Sequence, residues 1–174
     1  MNDPILRRAG MADVADLAQL AAQSFAAKFG ALYPAEVLAR FLAETYSPAR
    51  TAALVADPAV SVWIAEGERL LGYAVLGAAK LPHADITPGC IELRRLYTAP
   101  DATGQGIGTL LMTGVAVPAF EGAAGDAWLG VYSGNPGAQR FYERHGFERV
   151  GEYEFPVGPI RDREFILRRR RNRA

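Results

Sequence analysis

The stretch LYTAPDATGQGIGTLLM, residues 96–112, passes from an aromatic and β-branched run into a glycine-rich turn and out into an apolar segment of helical period. It predicts a strand ending near Thr98, a loop over APDATGQGIG, and a helix over 107–117 with Ile107, Leu110, Leu111 and Val115 facing inward. Three glycines at alternate positions, Gly104, Gly106 and Gly108, strip side chains from the turn. Backbone N–H groups can then converge on an anion, helped by the positive end of the following helix. The same glycines also suit a plain tight turn that needs positive φ. Two common nucleotide patterns are excluded by spacing. A P-loop ends in Gly-Lys-Ser/Thr, and Ile107-Gly108-Thr109 has no lysine. A dinucleotide fingerprint needs its third glycine one residue later than Gly108.

Outward from this stretch the chain alternates clearly. Upstream, residues 5–8 read as a short strand. Val14, Leu17, Ala18, Ala21 and Phe25 then share one helical face, and Gly30 ends that helix. A second helix follows Pro34, with Val37, Leu38, Phe41 and Leu42 at helical spacing, and proline suits its first turn. PARTAALVADP gives a third short helix, stopped before Pro58. AVSVWIAEG and LLGYAVLGAA read as a hairpin about GERL, residues 81–89 as a loop, and CIELRRLYT as the next strand. Downstream, Pro118 is expected to kink or end the helix. DAWLGVYS is a strand and residues 136–145 a helix with Ala138, Phe141, Tyr142 and His145 on one stripe. FERVGEYEFPVG and REFILRR close the chain as an antiparallel pair. This order implies an α/β (α+β) domain with a mixed, six- to seven-stranded central sheet and helices on both faces.

Composition agrees with one globular domain. The chain has 174 residues, against roughly 150 per domain. Half of the residues are hydrophobic and 22% are charged, which excludes disordered and fibrous classes. Cys90 is the only cysteine, so neither an internal disulfide framework nor a cysteine-rich zinc site can form. His83 and His145 stand alone, and no metal site is expected. No apolar run reaches the roughly 18 residues of a membrane span, and MNDPILRRAG lacks a signal-peptide apolar region, so a cytoplasmic protein with no membrane partner is expected. The 19 basic and 19 acidic residues cancel. Five of the basic ones lie in the segment from Arg168 to Arg173, leaving residues 1–167 with 14 basic against 19 acidic, net −5. That body does not suggest a nucleic-acid surface, and residues 168–174 read as a solvated arginine-rich tail.

LYTAPDATGQGIGTLLM resembles the acyl-CoA loop of the GNAT superfamily, the Gcn5-related N-acetyltransferases, whose pattern is Gln/Arg-x-x-Gly-x-Gly/Ala between a strand and a helix. Gly106 and Gly108 fall on its glycines and Gly104 precedes them. Thr103 departs from the pattern at the Gln/Arg position. A second segment, NPGAQRFYERHGF (135–147), is similar to the family's later block through Asn135, Ala138, Phe141, Tyr142, Gly146 and Phe147. Within the superfamily, the stretch from Trp128 to Gly158 and FGALYPAEVLARFL are most similar to bacterial acetyltransferases of the spermine/spermidine-acetylating PaiA type. The resemblance covers residues 90–150 well and residues 1–80 only in element order.

The resemblance implies acetyl-CoA as co-substrate and distributes the roles. Main-chain groups of Leu96 and Thr98, with Tyr97 between them, would bond the pantetheine arm, and an N–H of Leu96 or Tyr97 would face the thioester oxygen. The loop Thr103, Gly104, Gln105, Gly106, Ile107, Gly108 and Thr109 would cradle the pyrophosphate, and Asn135 would support the cofactor. Tyr142 would contact the cofactor and is the candidate general acid, since a tyrosine pKa near ~10 lies close to that of a departing thiol. Its stripe with Ala138 and Phe141 also suits plain packing. Glu92, four residues before Leu96, is the candidate general base, or alternatively a carboxylate paired with Arg94 or Arg95. Phe25, Phe29, Tyr33, Trp63, Tyr153 and Phe155 are aromatic candidates for either an acceptor pocket or the core. The implied function is direct transfer of an acetyl group to a primary amine of a small molecule, with polyamines in view. A protein lysine or N-terminal acetyltransferase and a non-catalytic acyl-CoA sensor stay open beside it, and a homodimer is the assembly the family suggests.

Overall fold

The computed structural model describes residues 3–171. One seven-stranded mixed sheet forms its centre, built from β1 (Ile5–Arg8), β2 (Val60–Glu66), β3 (Leu70–Ala78), β4 (Ile91–Thr98), β5 (Ala127–Tyr132), β6 (Glu148–Val157) and β7 (Ile160–Arg169). The strand order is β1-β2-β3-β4-β5-β7-β6. Every pairing is antiparallel except β4 with β5. That one parallel step requires a crossover, and the helical run after the glycine turn supplies it. The closing hairpin folds back so that β7, not β6, lies beside β5.

Three helices, α1 (Val14–Phe29), α2 (Ala35–Tyr46) and α3 (Pro48–Ala56), precede β2. Gly30 follows the last residue of α1 as expected. Pro34 occupies the cap position before α2 and not its first turn, whereas Pro48 takes the first position of α3 behind the Ser47 cap. These helices cover the face that carries Tyr73 and Tyr97, with Phe25 and Tyr46 packed at 5.7 Å between ring centroids. The other face carries α4 (Ile107–Leu111), a π turn over Met112–Ala116, α5 (Val117–Gly122) and α6 (Pro136–Arg144). Gly72 lets α4 sit directly on the sheet: a Cβ there would fall 2.9 Å from Ile107 Cγ2 and 2.8 Å from the Tyr97 carbonyl. The main core runs through both layers and includes Leu17, Ile64, Tyr73, Leu111, Met112 and Leu129, each no more than 2% exposed.

Of the two outcomes expected at Pro118, the helix does not end there but continues to Gly122, and it is distorted by a π turn just before the proline, with the Val117 N–H bonded back to the Met112 carbonyl. One expectation is corrected. The segment from residue 168 does not start as a free tail. β7 runs to Arg169, and its register sets Arg168 opposite Trp128 and Glu148. The Arg168 side chain is 13% exposed and bonds Asp85 at 2.9 Å. Arg171 is tied by its N–H to Asp126 and by its guanidinium to the Ala124 carbonyl. Residues 172–174 of the expected tail lie outside the described residues. No helix among the described residues is long and apolar enough to cross a membrane.

Candidate active site

The parallel pairing of β4 and β5 consists of two residue pairs, Ile91 with Ala127 and Glu92 with Trp128. Beyond them the strands diverge, and a cleft of about 1140 Å³ opens between β4, β5, α1, α2, α6, the closing hairpin and the glycine turn. That exceeds the roughly 300–1,000 Å³ of an ordinary small-molecule pocket and leaves room for two reactants. The β4 edge left bare in the cleft is set by its pairing with β3. Ala99 N–H donates to the Leu71 carbonyl at 2.8 Å, and Tyr97 pairs with Tyr73. In an antiparallel ladder the direction of the main-chain groups alternates. Tyr97 therefore turns its N–H and carbonyl to β3, while Leu96 and Thr98 turn theirs away from it. Ser24 Oγ on α1 takes the Thr98 carbonyl at 3.1 Å. Of the two N–H groups expected near the cleft, Leu96 presents one and Tyr97 does not. The Tyr97 ring stacks on Tyr73 at 5.9 Å instead.

The glycine turn opens onto the same cleft. Gly104 and Gly106 have φ of +80° and +82°, and a Cβ built on either would meet nothing within 4 Å. Backbone conformation requires glycine at both, and their outer side is clear for a ligand. Gly108 differs: it lies inside α4, where a Cβ would make ordinary contacts with Thr98 and Phe141. The first intrahelical bond is Leu110 N–H to the Gly106 carbonyl, at 2.9 Å. The N–H groups of Ile107, Gly108 and Thr109 precede it and point out of the helix start. Thr103 folds back on the turn, its Oγ1 3.4 Å from both the Ala99 carbonyl and Thr98 Oγ1. Gln105 stays exposed, its side-chain amide donating to the Asp101 carbonyl at 2.8 Å. Side chains thus brace the turn, and its main chain faces the cleft.

Asn135 caps α6, its Oδ1 accepting from Ala138 N–H at 3.2 Å. That role accounts for asparagine at this position independently of any ligand. About two helical turns later, Tyr142 stands half-buried in the cleft wall, packed between Phe141 at 5.4 Å and Phe147 at 6.0 Å. Its hydroxyl has no partner among the described residues. Burial raises its pKa above the usual tyrosine value, and the charge of Glu164 raises it further. The hydroxyl is therefore protonated at neutral pH. Glu92 also lines the cleft, and one carboxylate oxygen accepts the Lys80 N–H at 2.7 Å. It pairs with neither Arg94 nor Arg95: Arg94 bonds the Ala78 carbonyl and Arg95 lies over the Tyr46 ring.

Phe25, Phe29, Tyr33, Tyr153 and Phe155 do meet at the cleft, and Phe25 and Tyr33 belong to the core as well. Trp63 lies elsewhere, under Arg8. The cleft also holds residues that the sequence did not single out. Glu164 and Asp162 project from β7 into the wall that faces α1 and α2. Glu164 accepts from the Tyr153 hydroxyl and Asp162 from the Tyr33 hydroxyl. Burial raises the Glu164 pKa above the usual carboxylate value, the Tyr153 bond opposes this, and the charges of Asp162 and Glu92 add to it. The only sequence sign of this pair was the alternation Asp162-Arg163-Glu164 on a strand. The arrangement gives one cleft a bare strand edge and an anion-ready turn at one end, and an acidic, aromatic wall at the other.

Comparison with known proteins bears on this geometry. The model of the acetyltransferase (GNAT) family matches residues 16–147. An uncharacterized N-acetyltransferase of Mycobacterium tuberculosis is 32% identical over 158 residues, covering 90% of this chain and 97% of that protein. The structure of PaiA N-acetyltransferase from Thermoplasma acidophilum, in complex with coenzyme A, superposes with a TM-score of 0.75 at 22% identity, covering 98% of this chain and 99% of that one. The ribosomal-protein-S18-alanine N-acetyltransferase of Escherichia coli shares the fold at a TM-score of 0.72 and 15% identity, over 98% of this chain and 96% of that one.

Proposed function

Because the chain belongs to the acetyltransferase (GNAT) family, we propose that it transfers an acetyl group from acetyl-CoA to a primary amine of a small cationic molecule, in a single ternary complex. The observation that carries the acceptor class is the acidic, aromatic wall formed by Glu92, Asp162 and Glu164 with Tyr33, Tyr153 and Phe155. Carboxylates attract an ammonium group, and aromatic faces hold its alkyl chain and cation. Polyamines have both features, and the likeness to PaiA-type enzymes supports them as the first acceptors to try.

In this reading the bare edge of Leu96 and Thr98 hydrogen-bonds the pantetheine arm, as a short extra strand would. The Leu96 N–H faces the thioester oxygen and stabilises the charge that gathers there during attack. The N–H groups of Ile107, Gly108 and Thr109 at the helix start receive the pyrophosphate, while the Gln105 N–H stays on the Ala102 carbonyl. Tyr142 donates the proton that the departing sulfur needs. A homodimer remains part of the reading and is checked by sedimentation.

The test is thiol release from acetyl-CoA across polyamines, aminoalkyl compounds, amino acids and a lysine peptide, with calorimetric titration of acetyl-CoA in parallel. Turnover confined to the small amines is expected. Turnover on the lysine peptide alone would replace the acceptor class. Tight acetyl-CoA binding with no turnover on any acceptor would favour a sensor, and no binding would overturn the assignment of the turn.

A further inference from the structure

We propose that Glu164, and not Glu92, is the carboxylate that takes the proton from the acceptor's ammonium group. The proposal rests on the acetyl-transfer reading of the cleft and adds a residue to it. Four observations support it. Glu164 extends from β7 over Gly130 of β5, where a Cβ would fall 2.8 Å from Glu164 Oε2 and 2.6 Å from the Tyr153 hydroxyl. Only glycine at 130 leaves room for this carboxylate and its partner. Tyr153 of β6 holds the side chain by a hydrogen bond, so it enters the cleft in one defined direction. Glu164 also lines the same cleft as Tyr142, the candidate acid, and its charge raises the proton affinity of that hydroxyl without bonding it. Glu92, by contrast, already accepts the Lys80 main chain at the end where β4 and β5 still pair.

The surroundings of Glu164 suit a base. Asp162 on the same strand and Glu92 on β4 repel its charge and raise its proton affinity. Tyr33, Tyr46 of α2, Tyr97 of β4 and Tyr153 of β6 line the same cleft, and burial raises the proton affinity of all four phenols. Arg95 is turned onto the Tyr46 ring. A carboxylate of raised proton affinity is a stronger base.

The step balances. The ammonium gives one proton to Glu164. The freed nitrogen lone pair attacks the thioester carbonyl carbon, forming the C–N bond. The C–S bond then breaks, and sulfur leaves with its electron pair and takes the Tyr142 proton. The second nitrogen proton returns to the Tyr142 phenolate, and Glu164 releases its proton to solvent. The products are the amide, free thiol and one proton.

The test uses the full chain with acetyl-CoA, and spermidine and 1,4-diaminobutane as probes. kcat is measured from pH 6 to 10 at saturating amine, so that titration of the free amine does not enter. Glu164→Gln keeps the shape and an acceptor for Tyr153. It should lower kcat by ~10²-fold or more and remove the acid limb, with acetyl-CoA affinity unchanged. Tyr153→Phe removes a donor that stabilises the carboxylate, so the acid limb should move to higher pH. This shift is not expected from a merely structural role. Glu92→Gln should keep the limb. A limb that survives Glu164→Gln, or one lost with Glu92→Gln, overturns the proposal while acetyl transfer stands. Absence of thiol release by the wild-type protein with every amine overturns both.

Discussion

The hydroxyl of Tyr33 donates a hydrogen bond to Oδ2 of Asp162, joining residues 129 positions apart. This bond fastens the segment between α1 and α2 to the closing hairpin across the acidic, aromatic end of the cleft. Burial raises the Tyr33 pKa, and the bond to Asp162 raises it further, so the donor stays protonated at neutral pH. Tyr33→Phe should cost about 1.5–3 kcal/mol of stability, the usual contribution of a hydrogen bond to a charged group. It should raise KM for the amine several-fold and leave acetyl-CoA affinity unchanged. A calorimetric loss of acetyl-CoA binding in the variant would show that the bond serves the other end.

Glycines in the turn should respond differently to the same methyl group. Gly106 has φ +82°, a region that costs an L-residue about 1–2 kcal/mol. Gly106→Ala should therefore destabilise the turn and weaken acetyl-CoA binding by about tenfold, since 1.4 kcal/mol is tenfold. Gly108 lies in a helix with only ordinary contacts around its Cβ direction. Gly108→Ala should leave stability equal or raise it by up to about 1 kcal/mol. Denaturant midpoints of both variants decide it, and equal losses would show that the positive φ is not what Gly106 is needed for.

The sequence made some of this legible and hid the rest for a physical reason. Element order, the turn and the helix bearing Tyr142 are local patterns: glycine spacing, an asparagine cap and an apolar stripe. The sheet was readable because its strands differ in period from its helices. Glu164 and Asp162 were not. Flanked by Arg161 and Arg163, they look like the solvated face of a strand. Only the placement of β7 between β5 and β6 turns them into the cleft, and that pairing depends on contacts between distant residues. Arg168 was hidden in the same way, because a run of arginines looks solvated until register sets one of them on Trp128.

Arg168 should behave as a packing residue. Its guanidinium lies 5.6 Å from the centre of the Trp128 ring and bonds Asp85 in the loop after β3. Arg168→Ala loses the stem's packing as well as the charge, and should cost about 1–3 kcal/mol. Arg170, 73% exposed, pairs with Glu148 at 3.3 Å. Arg170→Ala should stay within about 0.5 kcal/mol, as exposed pairs generally do. Urea midpoints in low and high salt test this, and equal costs for both variants would contradict it.

Alkaline stability should reflect the buried Tyr73 and the half-buried Tyr97 and Tyr142. Burial raises the pKa values of Tyr73, Tyr97 and Tyr142. In the unfolded chain each titrates near ~10. Above that pH the unfolded chain gives up protons that the folded protein keeps. Their contribution is therefore complete below about pH 10 and lost as pH rises, by up to about 1.4 kcal/mol per pH unit for the buried Tyr73 and less for the other two. Urea midpoints at pH 8, 9.5 and 11 should fall steeply over the last interval. Tyr73→Phe should flatten that fall, and an unchanged slope would mean that Tyr73 titrates alike in both states.

Tyr142 separates packing from proton transfer. Its ring fills the space between Phe141 and Phe147, and Tyr142→Phe keeps that contact. The hydroxyl has nothing to lose within the protein, since it bonds no described residue, so melting temperature should stay nearly constant. Loss of the proton should lower turnover by ~10²-fold, the usual contribution of a positioned acid. Because burial holds the Tyr142 pKa above 10, the wild-type rate should show no alkaline fall from this group below pH 10. Acetyl-CoA affinity, read by calorimetry, should be unaffected. A variant that turns over at the wild-type rate would reduce Tyr142 to packing and leave solvent as the source of the thiol's proton.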